Sequence, residues 1–366
     1  MTTELHRTVS THPESVVISI DAMGGDSGVG AIVDGIGLSA DKNPDIRFIV
    51  HGDSAKINAL LNKKPELARR VDVRHADKVI SMDEKPARAL RGGKGSSMWN
   101  ALESVEKGEA TVAVSCGNTG ALMAIAMLRL RKLPGVNRPA IAVLWPSRNP
   151  SGHNVMLDMG ADIKADAEDL LQYAIMGSSY ARNGFGLDRP RVGLLNIGTE
   201  EHKGRPELQD AAKLCDAAQQ DGDFEYIGFV EGSDLPSDKV DIIVTDGFTG
   251  NVALKASEGT AKLVGEFLKD AFTHTPLAKL AAIFAMTSLK RLANRIDPRR
   301  VNGGVFLGLN GTVIKSHGSA DAIGVSAAIK LAFTLAENGF SEKLAARVAS
   351  GAPASKNTTA SKQNEA

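Results

Sequence analysis

Short unbroken apolar runs alternate along the chain with longer stretches in which apolar residues recur every three or four positions. The runs lie at 16–20, 46–50, 111–114, 140–144, 154–157, 192–195, 241–245 and 312–314. Most lack the alternation of a strand with one wet face, so they predict strands of a parallel sheet covered on both sides. The periodic stretches, at 54–68, 96–107, 119–131, 165–182, 206–219, 251–272 and 319–337, predict helices. Alternation of this kind builds βαβ units. The expected fold class is α/β, a doubly wound and mostly parallel sheet with helices on both faces. Residues 16–349 are expected to form a single α/β domain, two lobes sharing one sheet. Residues 1–15 are polar and 350–366 are rich in Ser, Thr, Ala and Lys without a hydrophobic period, so both are expected to be flexible tails.

One stretch departs from the rhythm. Residues 259–300 begin as an amphipathic helix with Leu263, Val264, Phe267, Leu268 and Phe272. After Pro276 the positions Leu277, Leu280, Ile283, Phe284, Met286 and Leu289 go most of the way round a helix, and then Lys290, Arg291, Arg295, Arg299 and Arg300 follow closely. Such a helix is buried on several sides or inserted somewhere. A dimer interface or a core helix is one reading; a greasy protrusion flanked by cations, suited to anionic lipid or an acidic carrier protein, is the other.

Composition narrows the field. Charges balance at 43 basic and 43 acidic residues, so nothing global draws the chain to nucleic acid. Aromatic residues make up only 4%, which leaves the core to Val, Ile, Leu, Ala and Met. The two cysteines, Cys116 and Cys215, form neither a metal-ligand spacing nor a disulfide framework, and a cytoplasmic setting fits them. The amino-terminal residues lack the apolar core of a signal peptide, and no stretch approaches the ~20 apolar residues that cross a bilayer.

In an open parallel sheet ligands bind beyond the carboxyl ends of the strands. The segments there are Asp21-Ala22-Met23-Gly24-Gly25-Asp26, Ser115-Cys116-Gly117-Asn118-Thr119-Gly120, Asp158-Met159-Gly160-Ala161-Asp162, Asn196 to Gly204, Asp246-Gly247-Phe248-Thr249-Gly250-Asn251, and Lys315-Ser316-His317-Gly318-Ser319. All share a glycine, a small polar side chain and the start of a helix, the ingredients of an oxyanion or phosphate site. Six such loops are expected along one edge of the sheet. No P-loop, no G-x-G-x-x-G after the first strand, no G-x-S-x-G elbow and no histidine ligand pair is present, so neither a metal nor any other cofactor is expected. Cys116, at a helix start, is either an acyl-enzyme nucleophile or a small buried hydrophobe.

These loops resemble the phosphate acyltransferases of phospholipid synthesis, the PlsX family. The resemblance rests on Asp21 to Asp26, Cys116 to Met123, Val192 to Glu201 with Lys203-Gly204, Thr245 to Lys255, and Ser316 to Ser319, and it spans about residues 16 to 340. Ser27-Gly28 replace the family's usual Ala-Pro, Cys116 replaces a small residue, Asp162 stands where Asn is frequent, and Gly92, Gly93 and Gly95 dilute a stretch that is commonly more basic. The resemblance implies an isocitrate-dehydrogenase/phosphotransacetylase-like fold. It implies a reaction in which an acyl-[acyl-carrier-protein] thioester and inorganic phosphate give acyl phosphate and free carrier. The implied partners are acyl carrier protein, the membrane-bound glycerol-3-phosphate acyltransferase that consumes the product, and a second copy of the chain in a homodimer. The implied location is the cytoplasm, peripherally at the inner face of the membrane.

Phosphate is anionic at neutral pH and a thiol of pKa roughly 8.5 leaves readily, so positioning and oxyanion stabilisation carry such a reaction. Lys203 is expected to neutralise phosphate and the oxyanion, Asn251 to orient phosphate or thioester by side-chain hydrogen bonds, and His317 to protonate the thiolate. Gly24, Gly25, Asp26, Ser96, Ser97, Asn118, Thr119, Asp158, Asn196, Gly198, Thr199, Asp246 and Gly250 are the expected substrate-binding positions. For Asn118, Asn196 and Asn251 helix capping or turn formation is the alternative, and for Asp26, Asp158 and Asp246 it is capping. The rival functions are a short-chain phosphotransacylase using coenzyme A, an NAD-linked decarboxylating dehydrogenase on the same fold, and a non-catalytic membrane scaffold.

Overall fold

A computed structural model describes residues 15–296 and 303–351. Its strands are β1 (Val17–Asp21), β2 (Arg47–Gly52), β3 (Val71–His75), β4 (Val112–Ser115), β5 (Ala140–Pro146), β6 (His153–Leu157), β7 (Arg191–Leu195), β8 (Glu225–Val230), β9 (Ile242–Val244), β10 (Gly304–Leu307) and β11 (Thr312–Lys315). The helices are α1 (Gly28–Ala40), α2 (Ser54–Leu61), α3 (Pro65–Ala68), α4 (Pro86–Gly92), α5 (Ser97–Glu106), α6 (Thr119–Arg129), α7 (Ala167–Phe185), α8 (Pro206–Ala218), α9 (Gly247–Thr273), α10 (Pro276–Ile296), α11 (Ala322–Glu337) and α12 (Phe340–Gly351).

The strands form one sheet in the order β3-β2-β1-β4-β11-β10-β5-β6-β9-β7-β8. Seven of the ten pairings are parallel; β11–β10, β10–β5 and β5–β6 are antiparallel. One face carries a core of Ile18, Ile20, Val112, Val155 and Val244 under α1, α7, α8 and α11. The other joins Ala113, Met156, Ile243 and Phe306 to Met98, Trp99 and Leu102 of α5 and to α6. The fold class is therefore the expected one, an α/β sheet wound on both faces.

The three antiparallel pairings have a consequence for the site. They reverse direction three times, so β6, β7, β8 and β9 run opposite to β1, β4 and β11. The carboxyl ends of the two sets lie on opposite edges of the sheet, which corrects the expectation of six loops on one edge.

Several elements carry weak signals and were not expected. Helix α1 holds four glycines, poor helix formers, because it packs closely on α11: a Cβ at Gly35 would meet the Val325 side chain at 2.5 Å. Strand β3 at the sheet edge alternates with charged residues, β8 is interrupted by Gly228, and β10 is only four residues long and starts at a glycine. The expected helix 54–68 is split by Pro65, which starts α3. Helix α12 runs through Ser350 and Gly351, two residues into the expected carboxyl-terminal tail; the remainder of that tail, residues 1–14, and Arg299 and Arg300 lie outside the described residues. Within 259–300, Leu277, Ile283 and Phe284 of α10 are exposed. Among the described residues no helix is long and apolar enough to cross a membrane.

Candidate functional site

The loops after β1, β4 and β11 form a first group. Asp21 ends β1, buried; its Oδ2 accepts the Ser115 hydroxyl at 2.7 Å and its Oδ1 accepts the N–H groups of Met23 and Gly24 at 3.2 Å. The Ser115 Oγ also accepts the Gly117 N–H at 3.0 Å. Glycine is required here: a Cβ at Gly24 would lie 2.7 Å from the Gly117 nitrogen, and one at Gly25, where φ is +91°, would lie 2.7 Å from the Gly318 carbonyl oxygen. The Asp26 N–H donates to that carbonyl at 2.7 Å and Ser316 N–H to the Ser115 carbonyl at 2.9 Å, so three loops are stitched together.

At their centre sits Lys315, a residue the sequence reading did not single out. Its Nζ donates to the Cys116 carbonyl at 3.2 Å and to the Ser316 carbonyl. Burial lowers its pKa to about 8, against the opposing pull of Cys116, Asp21 and Asp26. A lysine closing a strand of otherwise buried residues was the available signal. Cys116 itself is buried and its thiol is pushed up to about 11 by that burial, which removes the nucleophile reading.

Other expected residues of this group serve the scaffold. Asn118 caps α6 through the Ala121 N–H at 2.9 Å, and its amide donates to the Met82 and Glu84 carbonyls at 2.6 and 2.9 Å. Thr119, half-buried, is the first residue of that helix. Ser96 caps α5 through Trp99 N–H at 3.2 Å, and Ser97 donates its N–H to the Lys78 carbonyl at 3.1 Å; both are buried. His317 is exposed, with Nδ1 2.8 Å from the Ser319 hydroxyl.

The loops after β6, β7 and β9 form a second group on the opposite edge. Asp158 is fully buried; its Oδ1 accepts N–H bonds from Ile141, Gly160 and Ala161 at 2.9–3.2 Å and its Oδ2 one from Asp162 at 2.9 Å. Burial raises its pKa, the amide donors opposing. A Cβ at Gly247 or Gly250 would collide with the backbone oxygen of Asp162 or Asp158, so glycine lets α9 start against this turn. Asp246 caps α9 through the Thr249 N–H and hydroxyl, both at 2.9 Å, and pairs with Arg205. Burial pushes its pKa up, but these partners outweigh it and hold the carboxyl below its usual value.

Arg205 closes the β7 loop. Within that loop the Asn196 amide donates to the Lys203 carbonyl at 3.0 Å, and its Oδ1 accepts the Ile197 N–H at 2.9 Å. The Lys203 side chain is 42% exposed; its Nζ lies 2.7 Å from the Glu200 Oε1, which raises the lysine pKa and lowers the glutamate's. It folds over Gly198, while Thr199 is exposed. Asn251, on the exposed side of the first turns of α9, stands next to Gly160. Exposed apolar side chains occur in all three loops: Ile163 (74%), Ile197 (81%), Phe248 (63%) and, one turn on, Val252.

Lys203, Asn251, Asp158, Asn196, Gly198, Thr199, Asp246 and Gly250 therefore come together; Gly24, Gly25, Asp26, Ser96, Ser97, Asn118, Thr119 and His317 belong to the other region. Helix α9 spans the gap. Its N-cap Asp246 lies in the second group, and Glu258, twelve residues on, faces His317 in the first, about 18 Å along the axis. The expectation that Lys203 and His317 flank one reacting centre does not fit this geometry.

Comparison with known proteins decides the family. The model for the family described as "Fatty acid synthesis protein" matches residues 16–343. A phosphate acyltransferase of Paracoccus denitrificans is 68% identical over 353 residues, 96% of this chain and 95% of that one. The chain belongs to this family of phosphate acyltransferases. A phosphate acyltransferase of Dinoroseobacter shibae is 63% identical over 98% of the chain and 95% of its own length. Among solved structures, a phosphotransacetylase from Streptococcus pyogenes superposes with a TM-score of 0.58 at 17% identity, covering 90% of this chain and 94% of its own. A 4-hydroxythreonine-4-phosphate dehydrogenase from Klebsiella pneumoniae reaches 0.51 at 12% identity, covering 89% and 99%. These last two share the fold.

For a phosphate acyltransferase the second group has suitable chemistry. A half-exposed ammonium, an amide side chain and a helix N-terminus lie within neighbouring loops, and each favours a dianion. The ammonium is paired with the Glu200 carboxylate.

Proposed function

We propose that the enzyme moves a long acyl chain from an acyl-carrier thioester onto inorganic phosphate, and that the second loop group is where it does so. The observation carrying this reading is that the segments after the neighbouring strands β6, β7 and β9, which hold Lys203 and Asn251, also expose Ile163, Ile197, Phe248 and Val252. A short acyl group has no use for such apolar side chains, whereas each CH₂ of a long chain gains about 0.8 kcal/mol on leaving water.

In this mechanism a phosphate oxygen attacks the thioester carbonyl carbon and a C–O bond forms. The carbonyl becomes a tetrahedral oxyanion, stabilised by Lys203 and the Asn251 amide. Collapse breaks the C–S bond; acyl phosphate departs, and the thiolate takes a proton from water or remains ionised near its own pKa. The acyl phosphate is then available to an acyltransferase at the membrane, feeding phospholipid synthesis, and the exposed apolar face of α10 suits contact with a lipid surface. A homodimer with a peripheral membrane location completes the proposal.

The test is to mix the purified protein with palmitoyl-loaded acyl carrier protein and labelled phosphate, and separately with acetyl-coenzyme A and phosphate. Hydroxylamine-sensitive labelled lipid from the first mixture is expected. Turnover confined to acetyl-coenzyme A would replace this reading with the short-chain one.

A further inference from the structure

Helix α9 leaves the body of the protein early. Gly247 and Gly250 are buried, and Ala253 and Leu254 pack on the core. From 255 to 267 every residue is exposed except Glu258. Its carboxylate lies 4.0 Å from His317 Nε2 and 2.8 Å from Lys255 Nζ. The imidazole is held from its other side: Nδ1 accepts the Ser319 N–H at 3.3 Å, so in the neutral ring the proton sits on Nε2, toward Glu258. The loop carrying His317 is tied to the β1 and β4 loops by the Ser316–Ser115 and Asp26–Gly318 backbone bonds. Glu258 is thus where the first loop group approaches a helix whose start belongs to the second.

We propose that Glu258 is a positioning residue, anchored on His317, that sets the direction of α9 and thereby the placement of Asn251 against Lys203. The inference rests on the reading of the second group as the reaction site. An α-helix is stiff over the two turns between residues 251 and 258, so a change of tilt at Glu258 is carried back to Asn251. It also gives His317 the role of anchor in place of proton donor.

The experiment compares the full-length enzyme with Glu258→Gln, His317→Gln and the double variant. It measures kcat and the KM for phosphate with palmitoyl-loaded acyl carrier protein, and amide hydrogen exchange over residues 251–262. An open contact between polar side chains has a modest effect, so each single variant is expected to lose about fivefold in kcat with KM unchanged. The double variant is expected to lose no more than either single one, because the two residues act as a unit. Exchange in 251–262 is expected to rise alike in all three. Losses that multiply, a far larger loss for His317→Gln than for Glu258→Gln, or unaltered exchange would overturn the proposal. Absence of acyl transfer by the unmodified enzyme would instead sink the reading of the site, while the exchange data still decide whether Glu258 anchors the helix.

Discussion

The two loop groups are built from the same ingredients and end in opposite conditions. In the first, the lysine is half-buried, its Nζ is spent on two carbonyls, and Asp21, Ser115 and Gly117 bond one another. In the second, Lys203 is paired only with a carboxylate that is itself about half exposed, and apolar side chains stand in solvent around it. A glycine-rich turn followed by a helix is therefore compatible with a closed brace and with an open site. What separates them is whether the polar groups have already been used.

The largest test of that contrast is Lys203→Ala. Because the side chain is substantially exposed, the thermal midpoint should barely move, while kcat should fall by about 100-fold or more, as when one oxyanion donor is removed elsewhere. A variant turning over at near-normal rate would shift the chemistry away from the second group. Asn251→Ala should follow in direction, with the fold again intact.

Next come two glycines of the same group. A Cβ at Gly250 is driven into the backbone oxygen of the buried Asp158, so Gly250→Ala should cost about 1–3 kcal/mol of stability, visible as a lower denaturant midpoint. A Cβ at Gly198 instead meets the ends of the Lys203 and Glu200 side chains, which can swing away. Gly198→Ala should keep the midpoint and lose activity. Equal midpoints for the two variants would mean that the second group is less well braced beneath than its geometry implies.

Much of this was legible in the residues. The buried runs predicted β1, β2, β4 to β7, β9 and β11 because strands covered on both faces have nothing polar to interrupt them. The loops themselves were found at the ends of these strands. What could not be read was strand direction. The two antiparallel pairings of β10, with β11 and with β5, cancel, and the net reversal comes from the pairing of β5 with β6, which parts His317 from Lys203. Apolar runs report burial, whereas direction is decided by which strands pair and in what sense. Nor did they show the setting of Lys315, whose pKa is lowered by burial among loops that bring Cys116 and Asp21 to it from roughly two hundred and three hundred residues away.

The exposed apolar side chains offer a smaller effect. Phe248→Ser together with Val252→Ser should raise the KM for palmitoyl thioester severalfold, since each side chain shelters a few CH₂ groups of about 0.8 kcal/mol apiece. The KM for a short acyl thioester should stay put. A uniform change for both lengths would show that these residues shape the helix and do not contact the chain.

The finest distinction is between the two lysines themselves, and pH resolves it. Lys315 has a folded pKa of about 8 against an ordinary 10.5, because burial penalises the cation more than its neighbours favour it. The folded value is the lower, so between these two pH values the unfolded chain binds more protons and stability rises with pH; below about pH 8 the cost of the buried charge is present in full. Cys116 acts in the opposite sense from pH 9.0 to about 11, since its folded thiol holds the proton longer than the unfolded one. The useful interval is therefore pH 8 to 9. Across it the urea midpoint of the natural protein should climb relative to that of Lys315→Met, whereas its difference from Lys203→Met should stay flat or decline slightly, because pairing with Glu200 raises that lysine's pKa. A flat difference for Lys315→Met would mean that its ammonium reaches water in solution, and the first group would then have to be counted as a second open site.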